Sequence, residues 1–173
     1  MNRRYLIFAL GLVVYGVSLR LLPHLPNFAP LTALAVFSGA VLPRKFAIVT
    51  PLLAAIVSDL LIGTYGSVMF VVWGCYAAIA LAVQRYGAQP SFTRGVACIV
   101  ASSVGFFLAT NLAVWAFGSM YTHTWAGLQQ CYTLALPFFR NSLLGDLAYS
   151  AVLFGLYVGL RSAYLPRLRE VIQ

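Results

Sequence analysis

A chain of 173 residues that is 62% hydrophobic and 8% charged, with a mean hydropathy of +0.90, lacks the roughly one-quarter of charged residues found in a soluble domain. In water it would expose far more contiguous apolar surface than a monomeric globule tolerates, so disorder, a nucleic-acid-binding domain and a secreted disulfide scaffold are excluded together. A polytopic membrane protein is left, and the net charge of +8 does not revive nucleic acid as a partner, because the basic residues lie between apolar blocks and form no patch.

A membrane span takes ~20 mostly apolar residues. In chain order the pattern predicts an all-α, six-transmembrane-helix bundle forming a single domain over 1–173, with helices over about 5–22, 30–42, 46–64, 67–84, 95–117 and 136–160. The first follows Arg3 and Arg4 but ends in Ser18-Leu19-Arg20 without a small-x-small cleavage pattern, so it reads as a helix and not as a signal peptide. Pro23, Pro26 and Pro30 then forbid continuous helix. The second helix is a short piece with an Ala35-xxx-Gly39 spacing, and the third contains Pro51 and ends near Asp59. Trp73 and Tyr76 lie in the fourth; Ser102, Ser103, Thr110 and Asn111 lie in the fifth. The segment Gly118 to Gln130, with Tyr121, His123 and Trp125, reads as an outer loop, either an aromatic belt at the interface or a lid over a pocket. The sixth helix starts at Pro137 and carries Arg140, Asn141, Asp146 and a Gly155-xxx-Gly159 spacing. Cys75, Cys98 and Cys131 show no CxxC spacing and read as buried thiols, with neither a metal site nor a disulfide framework signalled.

Orientation follows from charge. With the amino terminus in the cytoplasm, every basic residue except Arg20 and Arg140 falls inside, which is the positive-inside distribution. An even number of spans returns the basic tail, with Arg161, Arg167 and Arg169, to the same side. Both termini are therefore expected to be cytoplasmic.

An ionisable side chain facing lipid costs roughly 2.5–3.5 kcal/mol at the bilayer centre, so one that lies within a span faces the bundle interior or a cavity. The interior set is Arg20, Asp59, Arg140 and Asp146. At ~1.5 Å per residue, all fall in the outer half or at the midplane. Arg140 and Asp146 lie about 120° apart around their helix, so each looks to another helix or to a ligand, whereas Ser142, Asp146 and Ser150 share a face. Two readings stand. In one, the arginines neutralise the aspartates as structural ion pairs, as in a non-catalytic scaffold subunit of a larger membrane complex. In the other, a pocket open to the outside holds a polar solute on Asp59, Arg140, Asn141 and Asp146, with Arg20, His24 and Asn27 at its mouth. Trp73, Tyr76, Trp115 and Trp125 are candidate stacking partners for a flat ring. No P-loop, HExxH or GxSxG sequence occurs, so neither an enzyme nor a resident cofactor is expected.

Three blocks carry a resemblance to a known family. Arg20 to Pro30 with Ala33 to Gly39, Pro51 to Gly63, and Leu136 to Asp146 resemble a group of small bacterial integral membrane proteins assigned to transport. That group is in turn similar to the substrate-binding (S) components of energy-coupling factor (ECF) vitamin transporters. The resemblance implies six helices in the bacterial cytoplasmic (inner) membrane and an outward-facing site for a vitamin or similar micronutrient. It also implies either solitary action or a separate coupling subunit with ATPases. The alanine-rich motif of helix 1 that docks such a module is not evident, since Val13 stands four residues after Ala9.

Overall fold

The structure, a computed structural model, describes residues 3–86 and 92–170, with the side chains of 163–170 excepted. Arg167 and Arg169, assigned above to the inner side, are among those outside the described side chains. Six helices run in order: α1 (Arg3–Leu21), α2 (Leu31–Val41), α3 (Arg44–Ile62), α4 (Val68–Tyr86), α5 (Phe92–Phe117) and α6 (Trp125–Glu170). There is no strand among the described residues. Five helices are long and apolar enough to cross a membrane, and α2 is not. The chain has the build of a multi-pass membrane protein.

The second expected span, over 30–42, is too short to cross by itself and is a core helix. With 11 residues, α2 rises about 16 Å, half the ~30 Å of a hydrocarbon core, and every residue from Leu31 to Gly39 is buried. It packs against α3, α4, α5 and α6, so the long helices carry the lipid-facing surface and α2 fills their middle. Its start is set by the proline-rich loop. The Phe28 amide donates to the Leu25 carbonyl at 2.9 Å, closing a turn with Pro26 second and Asn27 third. Asn27 has φ 61°, the left-handed value that a type II turn requires at its third position and that asparagine tolerates.

Two close contacts seat α2. A Cβ on Gly39 would stand 2.5 Å from the Ala80 carbonyl oxygen of α4, so only hydrogen allows that approach. On the α3 side, Pro51 has no amide hydrogen to give the Ala47 carbonyl one turn back. The Ser38 hydroxyl of α2 donates to that carbonyl at 3.0 Å. The proline thus runs inside a continuous helix and the freed acceptor becomes a link between helices. Phe37 completes the seat, edge-on to Phe154 and Tyr157 of α6 at 5.0 and 5.8 Å.

The largest departure from expectation is α6. It begins at Trp125, not near residue 136, and the anticipated loop 118–130 shrinks to a short turn. Thr124 caps the helix, its hydroxyl accepting the Gly127 amide at 3.2 Å. The added turns lie along α5: Phe107 packs on Tyr132 and Phe139, and the Tyr132 hydroxyl donates to the Leu108 carbonyl at 2.7 Å. Pro137 therefore sits inside the helix and does not start it. At 46 residues, α6 rises about 69 Å. Of the two small-residue spacings, Gly39 is at a packed crossing, whereas among the described residues nothing lies within 4 Å of a Cβ on Gly155 or Gly159.

Candidate functional site

The interior carboxylates occupy two separate clusters. In the first, Asp59, one turn before the end of α3, is 1% exposed. Arg20, in the last turn of α1, brings Nη1 to 2.6 Å from Asp59 Oδ1 and donates from the same nitrogen to Ser58 Oγ at 2.8 Å. Ser58 passes its own hydrogen to the Ala54 carbonyl. The Trp73 indole of α4 donates to Asp59 Oδ2 at 2.7 Å and the Tyr65 hydroxyl to the same oxygen at 3.1 Å. Oδ1 receives no directed hydrogen bond; its contact with Arg20 is that of charge against charge. One carboxylate thereby ties α1, α3, α4 and the α3–α4 loop. Burial, and then the adjoining Asp59 carboxylate, pushes the Tyr65 phenol up to about 12 against a partial opposing effect of Arg20.

In the second cluster, Asp146 of α6 is 2% exposed. Ser103 of α5 stands 2.6 Å from its Oδ2, and Thr32, in the first turn of α2, is a second hydroxyl beside it. No basic side chain forms an ion pair with it among the described residues. Ser150, one turn further along α6, is 1% exposed and its hydroxyl has no partner among the described residues. Tyr76 of α4, stacked on Phe106 at 5.1 Å, lies within electrostatic range of Asp146 on one side and of Asp59 and Arg20 on the other.

The residues singled out from sequence fall out unevenly. Arg20, assigned to the mouth, is at the ion pair itself. Asp59 and Asp146 are both buried and share no hydrogen-bond partner among the described residues. Arg140 is exposed and forms no ion pair among the described residues, because it faces away from Asp146 on the same helix. Asn141 holds the Leu22–Pro30 loop, donating to the Pro26 carbonyl at 3.1 Å, and Asn27 is the turn residue of that loop. His24 is exposed. Of the stacking candidates, the Trp73 indole N–H is spent on Asp59, Tyr76 on Phe106 and Trp115 on the Thr122 carbonyl; Trp125 is 72% exposed. A cleft of about 420 Å³ opens between α4 and α5, lined by apolar side chains with Cys75, Cys98 and Ser102, and neither carboxylate lines it.

Sequence reasoning missed Tyr65 and Thr32 and gave Ser103 no special weight. The only local hint was position: Tyr65 follows the end of α3 six residues after Asp59, and Thr32 opens the helix that Pro30 starts.

Residues 1–168 match DUF6580, a family of unknown function. The chain belongs to that family. No curated protein and no solved structure matches this DUF6580 chain.

Proposed function

We propose that the chain is a transport protein that captures a small polar solute, a vitamin or similar micronutrient, in the manner of the ECF S components it resembles. Both termini then lie in the cytoplasm of a bacterial cell and the Leu22–Pro30 loop faces out. The last turns of α1 and α3 meet at Arg20 and Asp59, so the loop and the short α2 together bring the chain back across and keep the number of crossings even. The observation that carries the reading is Asp146, a carboxyl group inside a helix of spanning length, with no counter-ion among the described residues and an idle hydroxyl at Ser150 beside it. An ionisable group at that depth is costly and is kept where something docks or passes; a bundle that needed only to hold together would gain from an apolar side chain there. Asp59 lends support, since its Oδ1 has no directed donor among the described residues. On this reading the chain is not an enzyme, and energy comes from a separate coupling subunit with ATPases or from a gradient.

The scaffold reading draws on one observation, the direct Arg20–Asp59 contact, which closes space that a pocket would keep open. Native mass spectrometry of the protein in mild detergent, followed by thermal shifts against a vitamin panel, separates the two. Transport predicts a co-purifying solute, or a stabilisation that Asp146→Asn abolishes. No solute, no shift, and an Asp146→Asn protein that drops out of a larger membrane complex would replace transport with the scaffold.

A further inference from the structure

The surroundings of Asp146 specify its protonation. An isolated carboxylate taken out of water without a counter-ion carries a desolvation cost so large that such groups neutralise instead. Asp146 meets that description among the described residues. The groups facing it are hydroxyls: Ser103 from α5 and Thr32 from α2. α2 bears no titratable side chain. α5 carries Arg94, nine residues and about 13 Å along the helix from Ser103, and Cys98, which lines the cleft against α4. From α4 comes the phenol of Tyr76, and beyond it the Asp59 carboxylate with its own Arg20. On α6 itself Arg140 points to the exposed side.

Hydrogen counting at Ser103 agrees. Its oxygen is 3.0 Å from the Ile99 carbonyl oxygen of its own helix and 2.6 Å from Asp146 Oδ2 on the facing one. A hydroxyl has one hydrogen. Beside an ionised Asp146 both neighbours would be acceptors sharing that one hydrogen, whereas a protonated Asp146 supplies a second. At Ser38 and Ser58 one hydrogen is likewise shared between two carbonyl acceptors, at 3.2 and 3.0 Å and at 2.6 and 3.1 Å, so the distances at Ser103 fit either protonation state and the missing counter-ion decides between them. Both contacts are satisfied when Ser103 donates to Ile99, the usual habit of serine in membrane helices, and Asp146 donates to Ser103.

We propose that Asp146 is a proton-binding site of the bundle, a carboxylic acid whose hydrogen is enclosed by α2, α5 and α6 and exchanges with water. In the exchange the Asp146 O–H bond breaks, its electron pair stays on the carboxylate, the proton passes to water, and the Ser103 hydroxyl turns from Ile99 to Asp146. The site stands whether or not the chain carries a solute.

Infrared difference spectroscopy of the full chain in lipid vesicles tests it. At neutral pH a protonated-carboxyl carbonyl band is expected that shifts in heavy water, is lost in Asp146→Asn and moves in Ser103→Ala, which keeps the acid and removes its acceptor. Absence of the band, its survival in Asp146→Asn, its indifference to heavy water, or an unmoved band in Ser103→Ala overturns the site. Ser103→Ala carries the test if Asp146→Asn does not fold. A bound vitamin with no such band sinks the proton site and leaves transport standing; the band with no solute does the reverse.

Discussion

Replacing Arg20 with leucine probes the Asp59 cluster most directly. The change removes the 2.6 Å charge contact and the bond to Ser58, and leaves a carboxylate that is 1% exposed with only Trp73 and Tyr65 as donors. At that separation two unit charges attract by about 6 kcal/mol for an effective dielectric of ~20. This is an upper figure, because the Arg20 side chain is 18% exposed and would regain water once released. Breaking a buried pair from one side costs about 3–5 kcal/mol, and the two surviving donors place Arg20→Leu near the lower end, about 3 kcal/mol. Asp59→Asn should cost less, about 1–2 kcal/mol, since the partner it strands reaches solvent. The double variant Arg20→Leu/Asp59→Leu should lie within about 1 kcal/mol of the native protein. Reversible unfolding in mixed micelles reads all three. A double variant that loses the sum of the singles, or an Arg20→Leu no worse than Asp59→Asn, would refute the argument that the buried carboxylate sets the cost.

The crossing of α2 and α4 predicts that Gly39→Ala loses about 1–3 kcal/mol to overpacking against the Ala80 carbonyl, whereas Gly155→Ala, with open space around its Cβ, leaves the melting temperature unchanged. Ser38→Ala should cost about 1–2 kcal/mol by stranding the Ala47 carbonyl, and Pro51→Ala in that background should recover most of it by returning an amide hydrogen one turn along; equal melting of the single and double variants would argue against this exchange. Spectrophotometric titration should find the Tyr65 phenol ionising at about 12 rather than at its ordinary 10.0, and only partway back in Asp59→Asn because burial is the larger cause. Since the folded value is raised, its contribution to stability is intact below pH 10 and is lost as pH climbs through about 12.

Much of the fold was legible in the chain because hydropathy and periodicity are local properties. The apolar runs mark six helices, five of them long enough to span, the prolines of Leu22–Pro30 mark the loop, and the small residues Ala35 and Gly39 mark a close crossing. The start of α6 was legible in principle, as Thr124 followed by a helical run. It was masked by Pro137, which looks like a first-turn proline, and by aromatic residues that suit an interfacial loop equally well. The interior charges announced themselves by type alone, since a membrane core tolerates so few.

What packing alone decided is who meets whom. Arg20 finds Asp59 across α1 and α3, while Arg140, equally plausible by depth, turns outward; a rotation of α6 by a fraction of a turn would have reversed that outcome. Ser103 meets Asp146 only because the short α2 lets α5 and α6 close around its first turn. Such pairings depend on helix rotation and on approach distances set by single atoms, such as the missing Cβ of Gly39 against Ala80, and no stretch of chain contains that information by itself.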